Sequence, residues 1–267
     1  VTDCLNFGNP EKGDIYWTFE QAVEGMAEAC EALETPVVSG NVSFYNESFG
    51  KAIYPTPMVG MLGVYDDVTR HGDQRFKDEG DAVVLLGPLE SAAIDGSEYQ
   101  KRVFDRVEGR VPDVDLALEV ALQGVVREGV LSGLLKSAHD CAEGGLAVAL
   151  AECCISSGVE GGALTAAPPP SVGAAVTVPA GALRPDVALF GEGPSRVVVT
   201  CAPADLERLR AAADQAGVPV TELGVVTGAG AGPDGARLTL SIAHQAMLDL
   251  PVAELRRAFE SLPERLR

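Results

Sequence analysis

No stretch of the 267 residues is apolar for long enough to cross a bilayer, and no basic, apolar, small-residue leader of the secretory kind is present. A cytoplasmic protein with no membrane partner is the expectation. Basic side chains are also scarce. Lys and Arg number 20 against 39 Asp and Glu, a formal charge of −19, and no local basic patch offsets it, so nucleic acid is not an expected partner. The surplus acid keeps a dissolved protein dispersed and is compatible with sites that collect divalent cations. The six cysteines (Cys4, Cys30, Cys141, Cys153, Cys154 and Cys201) form no CxxC pair and no Cys/His ligand spacing, which leaves no zinc site and no disulfide scaffold to predict. A P-loop, a GxGxxG after a strand, a nucleophile elbow and a cysteine with a base close in sequence are likewise missing. Of the three histidines, His71 falls in a connector and His244 in an apolar-polar helix, and both read as structural.

What is present reads as a globular α/β protein with mixed sheets. Apolar residues make up 46%, with 30 glycines and 17 prolines dispersed along the chain, and the length suits two domains. The first residue is Val1, inside the polar, glycine-bearing segment TDCLNFGNP, so the chain is expected to be a piece of something longer. Phe19, Ala22, Val23, Met26, Ala27, Cys30 and Leu33 recur at threes and fours and predict a helix over 16–34. Thr35-Pro36 stops it, and Pro36-Val37-Val38 reads as a short buried strand that delivers SGNVSFYNE at its carboxyl end. A second strand, apolar on both faces, is predicted over 58–65. The polar segment 69–80 is a connector, and DAVVLLGP opens a buried strand in a second domain. Downstream the patterns predict helices over 114–128, from Gly144 or Gly145, over DLERLRAAADQAG and from about Pro251, with strands at KSAHD, RVVVTC, VPVTELGVV and ARLTLSI. APPPSVGAA reads as a loop.

Two polar segments of the first domain carry residues suited to a nucleotide site: Thr2, Asp3, Asn6 and Asn9 in the first, and Ser39, Asn41, Ser43, Tyr45, Asn46 and Glu47 in the second. Such a site needs glycine where backbone approaches phosphate, oxygen ligands for magnesium, and donors for ribose or phosphate. Turn chemistry uses the same residue types, so residue type alone leaves both readings open. In SAHDCAEGGLAVALAE, His139, Asp140 and Glu143 precede a paired glycine and an apolar helix. That helix start could hold an anion, or Gly144 and Gly145 could simply allow close packing beside an acid that favours the helix dipole.

The run TDCLNFGNPEKGDIYWTFEQAVEGMAEACEALETPVVSGNVSFYNE resembles the second half of the large synthetase subunit of phosphoribosylformylglycinamidine synthase, and the likeness continues through YPTPMVGMLGV, GDAVVLLG, SAHDCAEGGLAVALAE and LFGEGPSR. The resemblance implies an internally duplicated pair of units similar to aminoimidazole ribonucleotide synthetase. On that basis residues 1–70 would be the C-terminal part of the second N-terminal domain, and 71–267 the complete second C-terminal α/β domain. It implies an ATP- and Mg2+-dependent ligase of purine biosynthesis that converts formylglycinamide ribonucleotide and ammonia into the amidine. The ammonia would come from a glutaminase subunit, and a small accessory subunit would be a further partner. Matched residue by residue, Asp3 and Gly40 fall on nucleotide-binding positions, Asn41 on a magnesium position and Ser43 on a substrate position. Asp140 falls where the first unit of the family has a magnesium-binding Asp. The family often has Gln where this chain has Pro194, which puts any nucleotide contact from Glu192 to Ser195 in question. The catalytic histidine and phosphate-binding lysine of the family are expected in the first unit, so no catalytic residue is assigned here and the isolated chain is expected to be inactive.

Two rival readings stand beside this one. The chain could be a non-catalytic scaffold half that holds an auxiliary Mg-nucleotide and docks partner subunits. It could instead belong to a related synthetase or kinase of the same fold, which the wording of NFGNP and SGNVSFYNE argues against.

Overall fold

The computed structural model describes residues 1–155, 159–160, 163–164, 172–179, 181, 183–230 and 235–261. The chain divides into two compact units, Val1–Val68 and Thr69–Arg267.

The first unit contains β1 (Thr2–Asn6), α1 (Ile15–Ala32), β2 (Ser39–Ser43), β3 (Glu47–Ser48), β4 (Lys51–Ala52) and β5 (Thr56–Gly60). Its sheet has the order β2-β1-β5, with β1 parallel to β2 and antiparallel to β5. The predicted helix is α1, but only part of its apolar stripe turns inward. Ile15, Phe19, Ala22, Met26 and Cys30 are half-buried, whereas Val23 and Ala27 are exposed. Phe19 meets Phe7 and Phe44 edge to face at 5.3 and 5.0 Å, a small aromatic cluster around the buried Phe7. The strand expected at Pro36–Val38 lies one step further along: those three residues are exposed and irregular, and β2 is the polar motif itself. The apolar run after Tyr54 gives a strand only at Thr56–Gly60, and that strand is exposed rather than buried on both faces. Apolarity located a strand in the second run but not at Pro36–Val38, and burial depends on what covers a sheet, which periodicity does not report.

The second unit is built on β6 (Ala82–Leu86), α2 (Glu98–Phe104), α3 (Leu116–Leu131), β7 (Ser137–Asp140), α4 (Gly145–Ile155), β8 (Val159–Glu160), β9 (Ala163–Leu164), β10 (Gly173–Val178), α5 (Pro185–Phe190), β11 (Val197–Cys201), α6 (Leu206–Gln215), β12 (Val220–Thr227), β13 (Arg237–Ile242), β14 (Gln245–Pro251) and α7 (Val252–Glu260). Seven of these strands form one mixed sheet of order β14-β13-β10-β12-β6-β11-β7, in which β10 and β13 are the parallel pair. All five residues of β6 are buried. Val83 and Leu85 face a core with α4, α5 and α7, while Ala82, Val84 and Leu86 face a second core with α3 and α6. Helices on both faces explain why this strand reads as a continuous apolar run, and each buried Val or Leu contributes about 1.5–3 kcal/mol.

Local chemistry sets several boundaries. Ser97 Oγ accepts from Gln100 N at 3.1 Å to cap α2, and Asp115 Oδ1 accepts from Leu118 N at 3.0 Å to cap α3. Asp205 occupies the cap position of α6 but makes no side-chain cap bond. His244 is not helical. With Ala243 it forms a two-residue left-handed turn (φ 67 and 48°) between β13 and β14, and those two positions are what a tight hairpin requires. Part of the stretch read as a loop, from Gly173, is strand β10, while 167–171 lie outside the described residues.

The connector before β6 is held by charge as well as packing. Lys136 Nζ lies 2.7 Å from both Asp78 and the buried Asp81. Burial pushes the Lys136 pKa down, but the two carboxylate bonds outweigh it and the net shift is upward. Asp81 Oδ2 has no partner among the described residues, so Lys136 carries the compensation of that buried charge. Lys136→Met should therefore lower stability by about 3 kcal/mol in denaturant titration, against less than about 1 kcal/mol for Asp78→Asn, whose carboxylate is exposed. Equal losses would show that the pair is not an anchor.

All six cysteines are free, and Cys141, Cys153, Cys154 and Cys201 are buried. Burial pushes the thiols of Cys141 and Cys154 up to about 11 and about 12, which leaves them protonated and poor nucleophiles at neutral pH. Ellman's reagent should titrate Cys4 and Cys30 rapidly in the native protein and the other four only on denaturation. Rapid reaction of a third thiol would contradict this packing.

Candidate functional site

The parallel pairing of β1 with β2 places the two polar segments side by side. Asp3 is opposite Gly40, Cys4 opposite Asn41 and Asn6 opposite Ser43. Side chains alternate across a sheet, so Asp3 and Gly40 share one face while Asn41 and Ser43 share the other. The four residues are thus within one register of each other on an edge strand and its neighbour, but they divide two and two between the faces.

Gly40 has a specific reason to be glycine. A Cβ there would lie 2.6 Å from Oδ2 of Asp3, so the missing side chain is the space in which the Asp3 carboxylate rests. Asp3 and Asn41 make no side-chain hydrogen bond or ion pair to the described residues, which leaves the carboxylate and the amide oxygen available as ligands.

Other polar groups of the motif are committed to the fold. Asn46 Nδ2 donates to Phe7 O at 3.0 Å, Ser43 O at 2.9 Å and Ser43 Oγ at 3.1 Å. Asn6 Nδ2 donates to Cys4 O and Thr56 O, and Asn9 Oδ1 accepts from Glu11 N, a local turn. Glu47 pairs with Lys12 at 3.0 Å across the surface. The motif is therefore both a scaffold and a donor set. Asn46, Asn6 and Asn9 shape it, whereas Asp3 and Asn41, like Thr2, Ser39 and Tyr45, make no side-chain hydrogen bond among the described residues, and the Ser43 hydroxyl is already bonded to Asn46 but on the Asn41 face.

In the second unit Asp140 ends β7, and its side chain is 72% exposed. Its carboxylate is 3.4 Å from His139 Nδ1, and His139 Nε2 is held by Glu152 at 2.7 Å. His139 is thus oriented by a carboxylate and has its other nitrogen toward Asp140. Among the described residues no group of three or more His, Cys, Asp and Glu is arranged to hold a metal. An all-protein metal cage does not fit these residues. Magnesium held by one or two protein oxygens, with water and substrate phosphates completing its shell, does fit.

The segment 191–196, where Pro194 departs from the family pattern, has its side chains engaged internally. Glu192 Oε1 accepts from Glu98 N and Gly144 N, Ser195 Oγ donates to Glu119 at 2.6 Å, and Arg196 Nη2 donates to Gly191 O at 2.7 Å. Arg196 is 2% exposed, and burial lowers its pKa. The sequence singled out this segment for a possible nucleotide contact and missed its role as a tie between elements. That role depends on partners some 50 and 90 residues away, which no local pattern encodes.

No described helix is long and apolar enough to cross a membrane. Family models match most of the chain: AIR synthase related protein, N-terminal domain, over residues 1–65, and AIR synthase related protein, C-terminal domain, over residues 78–232. The chain is 49% identical over its full length to the phosphoribosylformylglycinamidine synthase subunit PurL of Anaeromyxobacter sp. strain Fw109-5, and 45% identical over 98% of its length to that of Symbiobacterium thermophilum. It spans about a third (33%) of the length of these curated relatives. Among solved structures, Thermotoga maritima PurL complexed with ATP matches with a TM-score of 0.64 and 16% identity over 96% of this chain and 37% of that one. The same protein complexed with FGAR matches with a TM-score of 0.65 and 16% identity over 96% and 39%. Hydrogenase maturation protein HypE matches with a TM-score of 0.55 and 18% identity over 92% and 75%. At these identities the structural matches establish the fold, and with the two matched domains in order the chain belongs to the AIR synthase related family.

Proposed function

We propose that this chain is part of a phosphoribosylformylglycinamidine synthase and acts, with the remainder of a longer polypeptide, in the ATP-dependent conversion of formylglycinamide ribonucleotide and ammonia to formylglycinamidine ribonucleotide. The observation that carries this reading is the pair of uncommitted ligands, Asp3 over Gly40 and Asn41 one residue on, held in fixed register by β1 and β2. The names of the relatives at 45–49% identity support it, as do the ATP and FGAR complexes of the structural neighbour.

In this reading Asp3 and the Gly40 backbone contact the nucleotide. Asn41 offers a neutral oxygen to Mg2+, and the Ser43 hydroxyl contacts the ribonucleotide on the same face. Within the second unit, taken by itself, the exposed Asp140 carboxylate offers an oxygen to Mg2+. Bound Mg2+ supplies charge neutralisation at the phosphates during transfer. The chain's own residues orient the ligands, and β1 and β2 hold the donors in place before the reaction begins, which is the condition for electrostatic stabilisation of a phosphoryl-transfer transition state. ATP phosphorylates the formamide oxygen, and ammonia then displaces phosphate from the iminophosphate. None of the described side chains is placed here as the base for that displacement, so catalysis needs residues from the rest of the polypeptide. A glutaminase subunit, a small accessory subunit and a cytoplasmic setting belong to the same proposal.

ATP turnover with formylglycinamide ribonucleotide, ammonium and Mg2+ tests it. The complete polypeptide should turn over and the 267-residue chain alone should not. In the complete polypeptide Asn41→Ala or Ser43→Ala should cut kcat by about tenfold or more. Nucleotide held tightly with unchanged turnover in those variants would favour the scaffold reading instead. Gly40→Ala and Asp3→Ala should weaken nucleotide binding to a similar degree, and the double variant should be no worse than either one, because both act by removing the same carboxylate from the same place. Additive losses in a calorimetric titration would show that Gly40 and Asp3 act separately.

A further inference from the structure

We infer that Glu192 is a positioning residue for Asp140. This inference rests on the reading of Asp140 as a magnesium-site oxygen. Asp140 is exposed at the end of β7 and touches little besides His139, so its direction is set mainly by the backbone that carries it. That backbone leaves the sheet through the turn 141–145, where Gly144 and Gly145 both adopt left-handed φ, 82 and 67°. A paired glycine turn has several accessible conformations unless something outside it selects one.

The selection comes from the segment before β11. At one end of the turn Cys141 N donates to Arg196 O at 2.9 Å, continuing the register in which Asp140 lies opposite Val197. At the other end Gly144 N donates to Glu192 Oε1 at 2.8 Å. The same oxygen accepts from Glu98 N at 2.9 Å, the first amide of α2, one of the donors that a helix start leaves unpaired. Glu192 is itself fixed, because its backbone pairs in both directions with Ala93 at 2.9 and 2.7 Å. Gly145 packs so closely on this segment that a Cβ there would lie 2.9 Å from Phe190 C. One carboxylate oxygen thus ties the turn behind Asp140 to the start of α2.

The chemistry of this tie separates geometry from charge. Gln at 192 keeps an oxygen acceptor at the same reach, whereas Asp is one methylene too short to serve both amides. The test uses the complete polypeptide and calorimetric titration with Mg2+ and a non-hydrolysable ATP analogue, alongside hydrogen exchange at Gly144. Glu192→Ala and Glu192→Asp should each weaken Mg-nucleotide binding by about tenfold and speed exchange at Gly144, and Glu192→Gln should restore both. Ser97→Ala, which removes the cap of α2 without touching the turn, should leave binding unchanged. If Asp140→Asn weakens binding and the Glu192 variants do not, positioning is overturned while the role of Asp140 stands. If neither does, the reading of Asp140 fails and the inference goes with it. Equal weakening by Ser97→Ala, or failure of Glu192→Gln to rescue, would show a general loss of stability or a need for charge, and either overturns the positioning role.

Discussion

Register between two short strands is the constraint on which the candidate site depends. β1 and β2 are separated in sequence by a whole helix, yet their parallel pairing sets Asp3 beside Gly40 and Asn41 one step along on the opposite face. A slip of one residue would exchange the faces and bring a side chain against the Asp3 carboxylate. The aromatic cluster of Phe7, Phe19 and Phe44 and the three hydrogen bonds of Asn46 hold that register at the far end of the pair. Residues that look alike in sequence therefore divide the work. Some amides lock the strands together, and another is left to bind.

The second unit solves a comparable problem by a different route. Its sheet is covered on both faces around β6, so its stability comes from buried aliphatic side chains and from the Lys136 anchor rather than from local turns. That two-sided packing leaves the strand ends as the place where polar groups can project. The antiparallel register of β7 with β11 brings the segments 140–145 and 191–196 to the same end, where Glu192 joins them. Polar side chains of this end are largely consumed by backbone amides and carbonyls. Asp140 and Glu143 are the exposed carboxylates of the 140–145 segment, and the exposure of Asp140 leaves it open as a candidate ligand.

Much of this architecture was legible in the sequence because its causes are local. The threefold-fourfold spacing from Phe19 to Leu33 gives α1, the unbroken DAVVLLG run gives β6, and the paired glycine before LAVALAE gives the start of α4. Where the reading failed, the cause was tertiary. Pro36–Val38 looked like a buried strand because burial was inferred from apolarity, and His244 looked helical because the left-handed hairpin at Ala243–His244 lacks the glycine or asparagine that would announce it. The site residues were recognisable as a set from the wording of the two motifs. Neither the opposition of Asp3 and Gly40 nor the division of ligands between two faces could be read there, since both follow from a pairing across more than thirty residues.

The division of ligands between faces is also the statement most open to direct contradiction. Crystals of the complete polypeptide grown with an ATP analogue and Mn2+ in place of Mg2+ would locate the metal by anomalous scattering. A manganese peak bound to the Asn41 side-chain oxygen on the Ser43 face of β2, with the Asp3 carboxylate contacting nucleotide and not metal, is the result expected. A peak on the Asp3 carboxylate with Asn41 unliganded would contradict it.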